Sequence, residues 1–313
     1  MKRVLFALCF LILNACQSTG SSMGSRGEIA LPKWTMTSTA HALTATDVPI
    51  TIPTTSILPT EVPQVMKTET MSSEINGTLT ITIVYDNNAY DTRLTTAWGF
   101  AAFIEYQGHT LLFDTGGDGS ILLRNMNILE IDPTRIESVV LSHIHGDHVG
   151  GLNTLLAQGI QPSVYLLPSF PQSFKQNTSR MVEVIETEPG QVVVDAVYTT
   201  GEMGRSPPEQ ALVIKTDRGL VVITGCAHPG VVQMVEQAQD LFGGNVHLVI
   251  GGFHLGGKSI QELERIVDDF RRLEVEKVAP CHCTGDQAIR MFAEAYGNDF
   301  IAAGVGKVIL IES

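Results

Sequence analysis

The chain has 313 residues, 44% hydrophobic and 17% charged, with a formal net charge of -13. That length holds one large or two small domains, and the apolar share is enough for a sizeable core. The acidic balance argues against nucleic acid as a partner, because such binders carry a basic stripe that neutralises phosphates. The five cysteines, Cys9, Cys16, Cys226, Cys281 and Cys283, are too scattered to form a disulfide framework.

Residues 1 to 16, MKRVLFALCFLILNAC, open with Lys2 and Arg3 and continue in an apolar run from Val4 to Leu13. The run is too short for a stable bilayer span but has the length and flanks of an export signal peptide. Its last four residues, Leu13, Asn14, Ala15 and Cys16, resemble a bacterial lipobox. That resemblance implies a lipoprotein anchored to the cell membrane through Cys16, with its domain outside the cytoplasm. Residues 17 to 75 are rich in Ser, Thr and Pro, which block helix and central strand and cannot bury a core, so they read as a disordered, extended tether.

A folded domain is expected from residue 76 to 313. Residues 79 to 87, 98 to 106 and 109 to 116 alternate as short strands, with Gly108 in a turn and Asp114 closing the third strand in F-D-T-G. Residues 121 to 129 have helical spacing. Val139, Val140 and Leu141 then form a β-branched and aliphatic run of the kind buried on both faces.

The loop after that strand reads SHIHGDHVGG and carries four metal-ligand types within six residues: His143, His145, Asp147 and His148. Imidazole and carboxylate suit zinc, iron or manganese, and the two histidines of an H-x-H pair on extended backbone point the same way, onto one ion. Asp147 and His148 are left to face a second. Gly146 allows a sharp turn, and Gly150 and Gly151 let the following helix, at residues 151 to 158, start close to the ions.

Further on, residues 162 to 168 and 191 to 199 read as strands around an inserted loop or lid at 169 to 190. A hairpin through Asp217, Arg218 and Gly219 ends in T-G-C-A-H, where Cys226 and His228 face one side if strand geometry persists. Pro229 is expected to start a helix running to Phe242. His254, in G-G-F-H-L-G-G, is either a substrate contact or a satisfied turn histidine. Ser259 caps an amphipathic helix whose apolar positions run from Ile260 to Leu273. Thr284 is expected to cap a helix at 286 to 296, Cys281 and Cys283 to serve as packing or redox-silent thiols, and residues 307 to 311 to form a final strand.

The set D-N at residues 86 and 87, F-D-T-G, S-H-I-H-G-D-H-V-G-G-L, T-G-C-A-H-P-G, G-G-F-H-L and H-C-T-G, in that order, resembles the metallo-β-lactamase-fold superfamily. It is most similar to the branch named for the dihydropterin aminobenzene ribofuranosyl phosphate synthases. The resemblance implies an α/β fold, a four-layer αββα sandwich of two mixed β-sheets with outer helices and a metal site along one edge. It implies His282 as the last ligand, and Asp114 as a residue that orients a metal-bound histidine, beside its plainer reading as a turn cap. Cys226 stands where many members have a bridging Asp; it either bridges or packs behind His228, and the second is slightly favoured.

The function so implied is that of a binuclear metal-dependent hydrolase in which a metal-bound hydroxide attacks an ester, phosphoester or lactone-type small molecule. His143, His145 and His228 would hold one divalent ion, and Asp147, His148 and His282 the other. Zinc is the first choice, iron or manganese the alternatives. Asp147 could also hold the nucleophile's proton, and His254 could contact the leaving group. The competing readings are a transferase of the branch's namesake type and a non-catalytic, metal-containing binding lipoprotein.

Overall fold

The computed structural model describes residues 77–312, so the expected signal at 1–16 and tether at 17–75 lie outside it. Six strands come first: β1 (Leu79–Tyr85), β2 (Ala101–Tyr106), β3 (His109–Phe113), β4 (Ser138–Val140), β5 (Ser163–Leu166) and β6 (Val184–Glu186). Seven follow: β7 (Val192–Val194), β8 (Val197–Thr199), β9 (Leu212–Thr216), β10 (Gly219–Thr224), β11 (Val246–Gly252), β12 (Val275–Cys281) and β13 (Val308–Ile311). They build a seven-stranded sheet in the order β13-β1-β2-β3-β4-β5-β6 and a six-stranded sheet in the order β12-β11-β10-β9-β8-β7. Both are mixed: β3 to β6 run parallel, as do β10 to β12, while the remaining pairs are antiparallel.

Strand residues alternate between two apolar environments, which is what makes the strands read as continuous hydrophobic runs. In β10, Val221 and Ile223 face a core shared by both sheets, where they join Ile81, Ile104 and Phe113. Leu220 and Val222 face the other way, toward α5 (Val231–Phe242), α6 (Ile260–Arg272) and α7 (Asp286–Tyr296). On the far side, Val84, Phe103 and Leu112 pack under α1 (Gly119–Ile128), α3 (Leu152–Leu156) and α4 (Gln172–Ser179). Three apolar layers between two sheets and two helical faces make the four-layer αββα sandwich that the motifs imply. Among the described residues, no helix is long and apolar enough to cross a membrane.

Several local expectations are corrected. Residues 169 to 190 are no free-standing lid, since α4 packs beside β6 and β6 extends the first sheet in parallel with β5. Residues 191 to 199 fold back as two antiparallel strands around Ala196, whose φ is 61°. The helix behind the histidine loop is broken into α2 (Gly146–Val149) and α3. Helix α5 begins at Val231, after Gly230 rather than at Pro229. Thr284 does not cap α7: its hydroxyl donates to the Cys281 carbonyl and accepts from the Phe253 N–H, tying the ends of β11 and β12 together. Ser259 does form the expected cap, as a full capping box with Glu262.

The break between α2 and α3 has a steric cause. A side chain on Gly150 would run into the Gly117 carbonyl, and one on Gly151 into the Thr115 carbonyl, so two glycines press this segment onto the end of β3. Gly151→Ala should therefore lower stability by roughly 1–3 kcal/mol. A chemical denaturation midpoint equal to wild type would show that the segment moves aside freely.

Asp86, directly after β1, has no solvent exposure. One carboxylate oxygen accepts the Asn88 N–H at 2.6 Å, and the other has no partner. Burial pushes its pKa up to about 6 against the opposing Asn88 bond. The folded state then binds the proton more tightly than the unfolded chain, so stability falls as pH rises from about 4 through 6. The loss is on the order of 3 kcal/mol. In chelator-treated protein, Asp86→Asn should abolish most of that decline in melting temperature; an unchanged pH profile would refute it.

Candidate metal centre

The carboxyl ends of β1, β3, β4, β10, β11 and β12 open onto one edge of the sandwich, and every candidate residue lies in the segment that follows one of them, Asp147 and His148 on the short helix α2. Such strand ends, where the backbone leaves a parallel sheet, are where α/β folds place their ligands. Four residues there adopt left-handed backbone: Asp114 (φ 57°), Ala227 (φ 58°), His254 (φ 51°) and His282 (φ 49°). That conformation is unfavourable for a side chain and persists only where surrounding bonds enforce it.

The rings of His143, His145 and His228 lie mutually 4.8 Å apart, centroid to centroid, and His228 Nε2 sits 3.2 Å from His145 Nδ1. Beside them, Asp147, His148, Cys226 and His282 bring their ligand atoms within 4.8 Å of one another. Asp147 Oδ2 is 3.6 Å from His148 Nε2 and 3.4 Å from His282 Nε2. The first group holds the rings of one expected triplet and the second holds the other with Cys226 added; by ligand atoms His143 and His228 group with Cys226, and His145 adjoins them through His228. Cys226 belongs among them rather than behind His228, because its Sγ is 3.2 Å from His148 Nε2 and also groups with His143 and His228.

Hydrogen bonds behind the cluster settle which ring nitrogen carries a proton. Asp114 Oδ2 accepts from His148 Nδ1 and from the Ser142 hydroxyl, both at 2.7 Å, and Oδ1 accepts the Ser142 N–H. Having given its proton to Asp114, the Ser142 hydroxyl accepts from His143 Nδ1 at 2.9 Å. Asn87 donates through Nδ2 to the His282 carbonyl, which leaves its Oδ1 to accept from His282 Nδ1 at 2.8 Å. His143 and His282 thus carry their protons on Nδ1 and present bare Nε2 lone pairs inward, while His148, with Nδ1 on Asp114, sets its Nε2 against the Cys226 thiol. His143 Nε2 and His282 Nε2 are buried without any partner, an arrangement whose cost a cation would remove.

Glu209, which no sequence pattern singled out, is wholly buried at the back of the site. Its Oε1 accepts the N–H groups of Gly225, Cys226 and Ala227, and its Oε2 that of His228. One carboxylate thereby shapes the whole T-G-C-A-H turn. The only hint in the sequence is an acid immediately before an apolar strand, which is too common to read.

Electrostatics differ sharply between neighbouring rings. Burial and the surrounding imidazoles drive the His143 pKa far down, so it stays neutral. Burial acts the same way on His148, but the Asp114 carboxylate outweighs it and raises that ring. His228 is lowered to about 4 by burial, then by His254 and His145. Burial would raise Asp147, yet the imidazoles of His282 and His148 hold its carboxyl well below the usual range. At neutral pH the His143 and His228 rings are thus held neutral beside an ionised Asp147.

His254 stacks on His228 at 4.4 Å and rims, with Lys258, a cavity of about 260 Å³ next to the cluster. Trp98 covers His282 at 5.0 Å while remaining 60% exposed. Cys281 is buried between the sheets, as expected of a packing thiol. The Cys283 thiol lies with the Cys226 thiol and a His254 ring nitrogen, all within 4.8 Å of one another.

Comparison with known proteins follows the same residues. The profile of the Metallo-beta-lactamase superfamily matches residues 99–282. The 7,8-dihydropterin-6-methyl-4-(beta-D-ribofuranosyl)-aminobenzene-5'-phosphate synthase of Methanocaldococcus jannaschii is 27% identical over 279 residues, covering 73% of this chain and 95% of that protein. Ribonuclease Z of Nanoarchaeum equitans is 43% identical over 54 residues, 17% of this chain and 16% of that enzyme. A crystal structure of a metal-dependent hydrolase of the beta-lactamase superfamily aligns with a TM-score of 0.65 at 25% identity, covering 75% of this chain and 100% of the other. YhfI of Bacillus subtilis, a metallo-beta-lactamase fold protein, aligns at 0.56 and 16% identity over 75% of this chain and 99% of its own, a likeness of fold. With the family profile spanning more than half of its residues and enclosing His143 through His282, this chain belongs to the metallo-beta-lactamase superfamily.

Proposed function

We propose that the domain is a binuclear metal-dependent hydrolase acting on an ester, phosphoester or lactone-type small molecule. The observation that carries this reading is the pair of buried, unpartnered Nε2 atoms on His143 and His282, aimed inward beside Asp147, His148 and Cys226. His143, His145 and His228 would hold one ion and Asp147, His148 and His282 the other, with the Cys226 thiol between them favouring zinc over iron or manganese. Ions at those positions would supply a water of near-neutral pKa and neutralise charge developing on the substrate.

The chain's own groups would do the rest. Asp147, held ionised and half-buried between His148 and His282, is placed to take the proton of the attacking water. His254 stands at the mouth of the adjoining cavity, where its imidazole can meet the leaving group or the developing oxyanion. Trp98 limits access of bulk water to His282. A cavity of about 260 Å³ suits a small molecule, and the acidic chain argues against a polynucleotide.

A transferase of the synthase type is the second reading, favoured by the 27% identity that extends over 95% of the methanogen protein. The two differ in their need for a second substrate. Turnover of lactones, carboxyl esters or phosphodiesters by the metal-loaded protein alone supports hydrolysis, and activity strictly dependent on an acceptor molecule overturns it.

His145→Ala should remove one ion and lower turnover at least about 100-fold, since replacing even the groups behind a ligand costs 10–100-fold. Full activity after dialysis would sink the assignment. Elemental analysis of Cys226→Ser beside His228→Ala separates their roles: loss of metal in both marks Cys226 as a ligand, and retention of both ions in the serine variant marks it as packing.

A further inference from the structure

Cys226, His254 and Cys283 each stand two residues beyond the end of a strand: β10 ends at Thr224, β11 at Gly252 and β12 at Cys281. Those three strands are adjacent and parallel, with Thr224 paired to Gly251 and Gly252 to Cys281. The same offset on neighbouring parallel strands sets the three side chains in one row across the sheet edge. Their ligand atoms lie within 4.8 Å of one another. An ion about 2.3 Å from sulfur and 2.0–2.1 Å from nitrogen would need only a small inward rotation of the side chains.

Room for this row has been kept. A side chain on Gly252 would meet the Gly225 carbonyl at 2.4 Å and the Cys283 sulfur at 2.8 Å, so the glycine at the end of β11 leaves space both for the neighbouring backbone and for that thiol. His254 is turned into left-handed backbone, which brings it over His228 and beside Cys283. The Cys283 thiol otherwise makes only a long contact, 3.6 Å to the Cys226 carbonyl. It takes no part in either group of the binuclear centre.

We propose that Cys226, His254 and Cys283 form a third cation position, selective for thiophilic ions such as zinc, cadmium or copper(I), which shares Cys226 with the binuclear centre. Two sulfurs and one imidazole make a softer donor set than the centre next door, whose donors apart from the shared Cys226 are nitrogen and oxygen. Three protein ligands leave a fourth coordination site, and the cavity of about 260 Å³ lined by His228 and His254 lies beside it. The position stands independently of whether the domain is a hydrolase, and it makes His254 a ligand rather than a direct substrate contact.

The test uses the full chain, stripped with chelator and titrated with cadmium under a phosphine reductant that keeps both thiols reduced. Wild type should take up three equivalents, and Cys283→Ala and His254→Ala two each. Cys283→Ala should also lose about half of the thiolate-to-cadmium absorbance, having one sulfur in place of two. His145→Ala should lose an ion yet keep the Cys283-dependent one. Cadmium NMR of the wild type alone gives a second reading that needs no variant, with one resonance at the shift of two-sulfur ligation. Saturation at two equivalents with no such resonance overturns the third position while leaving the binuclear centre standing. Uptake of none overturns both.

Discussion

The centre depends on hydrogen bonds that its ligand atoms do not make. An imidazole can serve a cation only through a nitrogen without a proton, and an isolated histidine has no reason to choose which nitrogen that is. Asp114, Ser142 and Asn87 make the choice by accepting at Nδ1 of His148, His143 and His282 in turn. Each partner is itself tied to backbone: Asp114 to the Ser142 N–H and Asn87 to the His282 carbonyl. Tautomer and ring orientation are therefore set before any ion arrives, and the ordering of the rings is no longer a cost of binding it.

Two buried carboxylates divide the remaining work by the kind of partner they accept. Asp114 is bonded to a ring and raises the proton affinity of His148 against the effect of burial. Glu209 is bonded to four successive backbone N–H groups and orders the turn that carries Cys226 and His228. Burial pushes the Glu209 pKa up against those amide bonds, and its carboxyl lies 4.0 Å from His143 without forming a closed ion pair. The chain thus sets a neutral His143 close to an ionised Asp147, a pairing of donors suited to divalent cations.

The fold makes this arrangement affordable through its two parallel runs. Strands β3 and β4 on one sheet and β10 to β12 on the other end along the same edge. Side chains far apart in sequence, such as Asn87 and His282, then meet on rigid supports. Glycines at 150, 151 and 252 allow the close approach of backbones that this crowding demands.

Much of this was legible in the sequence because its signals are local. Ligand types packed into His143–His148, T-G-C-A-H after a hairpin and H-C-T-G after a strand each reveal chemistry within a few residues, and alternating apolar runs reveal strands buried on both faces. The N-terminal segment had equally local signals, but they fall outside the described residues. What proximity across the chain decided could not be read. Glu209 is an ordinary residue until folding places it under a turn, and the D-N pair at 86 and 87 does not by itself show that Asn87 meets His282, 195 positions away. Cys283 looked like packing because the residues flanking a ligand on an extended strand point away from it. The chain instead turns into a 3-10 helix at His282, with φ at 49°, and swings that thiol back toward Cys226. The sequence by itself determined which donor atoms the protein owns and on which strand ends they sit. Only the tertiary structure decided which of them share an ion, because that depends on sheet order, on backbone turns at single residues and on hydrogen bonds between segments with no pattern in common.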